Sequence, residues 1–203
     1  MCSLLTGLYY FSIGITGLYF SSYLINDAGV PYSFLGTINM IAIFFVIVFT
    51  PVWNRVIHKY SWFRSVSIAL LINSLYYFTA AYVNGNNYLF LYPLACFMTY
   101  VAGPGISIVM SNMQYLHLPE TERNGYLSYF MSFNSFMTMT GAFFGRKFIV
   151  MTQSAKLRIF GQTLINKQYL LFITGSVVLT LSAMFILLRK QEHAEIKAPG
   201  HQA

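Results

Sequence analysis

Every carboxylate in this chain lies outside six long apolar stretches, and that one fact limits the fold more than any other. The five acids are Asp27, Glu120, Glu122, Glu192 and Glu195, and the stretches run at about 4–24, 33–53, 64–83, 88–111, 125–148 and 169–188. A helix rises about 1.5 Å per residue, so some 20 apolar residues cross a hydrocarbon core about 30 Å thick. An unpaired acid inside that core is costly, which accounts for where the acids fall. The runs are continuous rather than alternating, and this selects helices over barrel strands. Composition agrees. The 203 residues are 57% hydrophobic and 8% charged, too few polar groups to cover a water-soluble fold of this size. The expected fold class is an all-α membrane protein with six transmembrane helices in residues 1–190, followed by a polar tail at 191–203.

The connections are punctuated by polar and turn-forming residues. "NDAGVP" carries Asp27, Gly29 and Pro31, "NGNN" fills 84–87, and "HLPETERNG" spans 117–125. The opening "MCSLLTGLYYFSIGITGLYFSSYL" has no cation ahead of its apolar run, and that run is too long for a signal peptide. Cys2 and Cys96 form neither a disulfide framework nor a metal spacing, and all four histidines lie in connections or the tail. No buried carboxylate pair, ligand cluster or phosphate-cradling loop appears. No catalytic residue, metal or cofactor is therefore expected, and an intramembrane enzyme is the weakest reading. The net charge of +7 is scattered between apolar runs, which suits the lipid bilayer and its anionic headgroups rather than nucleic acid.

Six spans put both termini on one side of the membrane. That side collects Arg55, Lys59, Arg64, Arg123, Arg189, Lys190 and Lys197, against Arg146, Lys147, Lys156, Arg158 and Lys167 opposite. The excess favours cytoplasmic termini in a multi-pass protein of the plasma (cell inner) membrane. All five cations of the opposite side crowd into 146–168.

The second spans of the two halves end alike, "PVWNRVIHKY" at 51–60 and "AFFGRKFIVM" at 142–151. Each half reads as span, polar connection, span, basic exit, span. Three spans being odd, the second triplet enters from the opposite face, as in a 3+3 inverted repeat. Residues 51–65 resemble the motif joining the second and third helices of each six-helix half in the major facilitator superfamily, approximately P-L-W-G-R-L-A-D-R-Y-G-R-R. Pro51, Trp53, Arg55, Lys59 and Tyr60 fit it; Asn54 and Ser61 replace its glycines, and His58 stands where its acid belongs. "LINDAGVPYSFLGTINMIAIFF" and "LPETERNGYLSYFMSFN" resemble further connections of the C-terminal half, so nearly the whole chain can be laid on such a half bundle.

The resemblance implies a secondary active transporter, or its C-terminal half, moving a small solute by alternating access. Its implied partner is a six-helix N-terminal half, missing or on a separate chain, or a second copy of this chain. The alternative is a non-transporting membrane subunit or a truncated, inactive fragment. By the resemblance, Pro51, Asn54, Arg55, His58 and Lys59 form a cytoplasmic gating loop; the plainer role of its cations is to hold that connection in the cytoplasm. Tyr9, Ser12 and Thr16, on one face of the first span, are path-lining candidates, as are Asn39 and the Gly103–Pro104–Gly105 break. That break either offers a carbonyl to the solute or is a tolerated kink. Asn39, Asn73, Asn112 and Asn134 are expected to bond neighbouring helices. Asn134, Thr138, Gly141 and Gly145 share a face of the fifth span as a helix interface, either within this bundle or toward a partner bundle.

Overall fold

The computed structural model describes residues 2–113, 123–152, 158–159, 162–163 and 165–196. Helix α1 is Cys2–Ser22 and runs into a π-helical turn at Tyr23–Asp27; α2 is Tyr32–Tyr60, α3 Trp62–Ala81, α4 Tyr88–Met113, α5 Arg123–Thr152 and α6 Asn166–Ile196. Between α5 and α6, β1 (Arg158–Ile159) pairs antiparallel with β2 (Gln162–Thr163), a two-residue ladder that the continuous apolar runs did not announce.

Four helical stretches are long and apolar enough to cross a membrane: Ser3–Asp27, Tyr32–Tyr60, Tyr88–Asn112 and Asn166–Leu187. The other two helices fall short for different reasons. Central in the bundle, α3 packs on α4 and α6 and buries Ser65, Ser67, Asn73 and Ser74. A helix shielded by its neighbours need not be as greasy as one facing lipid. Helix α5 carries hydroxyls and amides along its length and exposes Arg146 and Lys147 near its end.

The packing order across the bundle is α5, α1, α6, α3, α4, α2. The core is made where these neighbours meet, with Val66, Leu70, Val109, Val178 and Phe185 fully buried. Between α3 and α6, Ser67 Oγ donates to the Ser182 carbonyl and Ser182 Oγ donates to the Ser67 carbonyl, each at 2.8 Å. Such reciprocal bonding requires backbones close together, which the small side chains permit.

At the end of the bundle where α1 stops, three elements are tied by polar groups. Tyr23 OH donates to the Val83 carbonyl. Gln168 Nε2 donates to Tyr23 OH and to the Ala81 carbonyl, both at 2.9 Å, while Gln168 Oε1 accepts from the Ile165 amide at 2.8 Å. Lys167 Nζ lies 2.6 Å from Asp27 Oδ2 and 3.2 Å from Ser22 Oγ. The π turn brings this about: it delivers Tyr23 and Asp27 to α6 before the chain reverses at Gly29, whose φ of +66° suits a residue without Cβ.

Two expectations about boundaries are corrected. The basic stretch at 51–60 is not a loop; α2 continues through Pro51 to Tyr60, and Ser61 alone separates it from α3. The reversal needs φ +114°, ψ 155° at Ser61, a region natural to glycine, which is the residue the family motif has there. The expected bundle boundary at 190 also falls inside α6, which stays helical through the first residues of the polar tail to Ile196. Most of the 117–125 connection lies outside the described residues.

Candidate functional site

Because α1 packs on α5 and α6 while α4 packs on α3 and α2, the facing sides of α1 and α4 stand apart. The cleft between them holds about 200 Å³ and is lined by Tyr9, Tyr10 and Ile13 of α1 and by Gly103, Ile106, Ser107, Met110 and Ser111 of α4. Its walls are aromatic and apolar with a few hydroxyls, and its volume is below the roughly 300–1,000 Å³ usual for small-molecule sites. Of the path-lining candidates, the structure brings Tyr9 and Gly103 together here. Ser12 and Thr16 turn into the bundle instead: Ser12 is fully buried and donates to the Tyr9 carbonyl at 2.7 Å, and Thr16 is buried beside Tyr77. Asn39 is exposed on α2 and accepts from Tyr100 OH at 2.8 Å. The sequence reading missed Ser107 and Ser111. Their signal was present, since with Gly103 they recur every four residues on one face.

Pro104 and Gly105 point away from the cleft. Pro104 has no amide hydrogen, so the Tyr100 carbonyl loses its partner one turn back and the α4 ladder is weakened at this level. Trp53 of α2 bonds the adjacent carbonyl: its Nε1 donates to Val101 O at 2.6 Å. The indole lies flat enough on Gly105 that a Cβ there would sit 2.5 Å from the ring. The expected break is absent, since α4 runs unbroken from Tyr88 to Met113 with Pro93 and Pro104 inside it; this level is supported from behind by a residue of the basic motif, while Gly103 and Ser107 face the cleft.

In the last three turns of α2, Pro51, Asn54, Arg55, His58 and Lys59 are all exposed, as is Arg64 at the start of α3. Lys59 Nζ and Arg64 Cζ lie 5.3 Å and 4.9 Å from the centre of the same ring, that of Tyr60. Among the described residues the one ion pair is Asp27–Lys167, at the other end of the bundle. Asp27 is thus too far away to answer these cations.

The α5 stripe faces α1. A Cβ on Gly141 would meet the Phe11 carbonyl, one on Gly145 the Ile15 carbonyl, and one on Gly14 the Thr138 carbonyl. The two backbones are in contact along this seam, which is the within-bundle reading of the stripe. Thr138 bonds back to the Asn134 carbonyl at 2.9 Å; Asn134 is buried, and its Oδ1 has no partner among the described residues. Outside the seam, Ile13, Gly14, Gly17, Leu18, Ser135, Thr138, Met139 and Ala142 line a second, mostly apolar groove of about 440 Å³. The remaining asparagines divide. Asn73 accepts from Thr99 at 3.0 Å across to α4, as expected, whereas Asn112 donates to Ile108 O of its own helix at 2.8 Å.

Neither the curated proteins nor the solved structures compared with this chain gave a match. The family comparison did: residues 2–203 match the model of the Major Facilitator Superfamily. With that match over apolar helices built to cross a bilayer, the chain belongs to the major facilitator superfamily of membrane transporters.

Proposed function

We propose that this chain is one six-helix half of a secondary carrier, which moves a small solute by alternating access through the cleft between α1 and α4. The observation that carries the reading is the cleft itself, at Tyr9, Tyr10, Gly103, Ser107 and Ser111, between the first helices of the two triplets. The packing order supports a 3+3 inverted repeat. Exchanging α1 with α4, α2 with α5 and α3 with α6 turns the α1–α5 seam into α4–α2 and the α1–α6 seam into α4–α3, while α3–α6 maps on itself. A second six-helix bundle, from the same polypeptide, another chain or a second copy, closes the cleft and rocks against this one.

Termini in the cytoplasm of the cell membrane remain our orientation. The excess of Lys and Arg on that side, seven against five, supports it. The α2 end then faces the cytoplasm, where Arg55 and Lys59 hold the topology.

Cysteine substitution tests the cleft. In a background lacking Cys2 and Cys96, Ser107→Cys and Ser111→Cys in reconstituted vesicles should react with a membrane-impermeant maleimide, and Ser182→Cys, buried against α3, should not. Absence of labelling at Ser107 and Ser111 from both faces would mean a packed interior and end the proposal. Solute uptake by the completed carrier, screened in the same vesicles, identifies the cargo.

A further inference from the structure

We infer that the α2–α3 corner is a binding site for the phosphate headgroup of an anionic phospholipid, with the lipid's chains lying along α2. Three observations converge on it. First, Lys59 and Arg64 are both held on the ring of Tyr60, at 5.3 Å and 4.9 Å from its centre. This places two like charges no farther apart than about one Debye length, about 10 Å at 0.1 M salt. Arg64 is brought back over Tyr60 by the single-residue reversal at Ser61, so the convergence is built by the backbone as well as by side-chain choice.

Second, an anion between the two cations relieves their mutual repulsion and gains charge-assisted hydrogen bonds from both. Arg55, one turn before Lys59 on α2, adds a third donor group. Tyr60, which is 41% exposed, and Trp62 supply the aromatic body favoured at headgroup depth.

Third, the surface beneath the cations distinguishes a lipid from a free anion. Lys59, Arg55, Val52, Val48, Phe44 and Ile41 are spaced 4, 3, 4, 4 and 3 residues apart, so they form one stripe along α2. Every one of them is exposed. The stripe is cationic where the helix leaves the membrane and apolar for the turns within it, matching a phospholipid end for end. Inorganic phosphate would use only the top.

The test is lipid retention by the purified full chain in native mass spectrometry, independent of any transported solute. Dioleoyl phosphatidylglycerol should be retained at least ten-fold better than dioleoyl phosphatidylcholine. At about five-fold per cation near the membrane surface, removing Arg55, Lys59 and Arg64 together as glutamines should weaken retention on the order of 100-fold. Arg146→Gln with Lys147→Gln, at the far end of α5, should leave it unchanged. Tyr60→Leu, which keeps the charges and removes the ring that gathers them, should weaken it several-fold with the helix content intact. Dihexanoyl phosphatidylglycerol, with chains too short to follow α2, should bind more weakly than the dioleoyl lipid. Equal retention of the two dioleoyl lipids, equal loss from the Arg146/Lys147 variant, or full competition by inorganic phosphate would each overturn the assignment. A triple variant that fails to fold leaves Tyr60→Leu and the lipid comparison to decide.

Discussion

Replacing Ser61 by glycine should make this protein more stable, an unusual expectation for a residue at a helix junction. Ser61 holds φ +114°, ψ 155°, and its hydroxyl is buried without a described partner. A side-chain-bearing residue in that region costs about 1–3 kcal/mol. Glycine removes the strain but gives the unfolded chain more freedom, which takes back about 0.4–1 kcal/mol. The net expectation for Ser61→Gly is about 1–2 kcal/mol of added stability. The backbone bonds of the corner stay available to either residue: the Ser61 amide donates to Ile57 O at 3.3 Å, and the Ser61 carbonyl accepts from Ser65 N at 3.1 Å and from Ser65 Oγ at 2.8 Å. Ser61→Ala separates the two contributions, because it deletes the unpaired hydroxyl yet keeps the Cβ. Unfolding by sodium dodecyl sulfate in mixed micelles, followed by tryptophan emission, is well suited. The chain has two tryptophans, Trp53 and Trp62, and both flank the corner. The unfolding midpoint should rise in the order wild type, Ala, Gly with unchanged slope. A glycine variant no more stable than the alanine variant would refute the strain argument.

Gly141→Ala should lower the unfolding midpoint by the equivalent of about 1–3 kcal/mol, since its Cβ meets the Phe11 carbonyl and backbone cannot step aside; Gly17→Ala, with open space around it, is the control. Trp53→Phe keeps a ring on Gly105 but removes the indole bond to the Val101 carbonyl, so a loss of about 0.5–1.5 kcal/mol is expected, read by the same titration through Trp62. A double-mutant cycle with Asp27→Asn and Lys167→Met should give a coupling of about 0.2–1 kcal/mol, because both side chains are partly solvated. That coupling should shrink between 0.05 and 0.5 M salt, as expected for ion screening, roughly.

How far the sequence could be read depended on whether a signal lay in one segment or between two. The apolar runs located all six helices, since the bilayer imposes length and polarity on each one separately. Boundaries were harder. Pro51 and the cations of 51–60 read as the end of a span, whereas the helix continues to Tyr60. Contacts between segments were legible only in part. Tyr9, Ser12 and Thr16 do share a helical side, but two turn into the bundle and one reaches the cleft, and which side faces what depends on α4, α5 and α6. The same limit explains Asn112, which satisfies itself locally, and the glycines of α5, whose partner is α1. Trp53 was recognised as a motif residue; its bond to Val101, 48 residues on, has no local signature.

The mutual serine bonding between α3 and α6 has a mechanical consequence. Sliding or turning either helix against the other would take two hydroxyl donors off their cross-helix acceptors, in a solvent that offers no replacement. This pair is therefore the keel of the bundle, fixed in register by its own chemistry. Deformation of the bundle is cheaper at the seams of the outer helices α2 and α5, where no such reciprocal pair is made among the described residues.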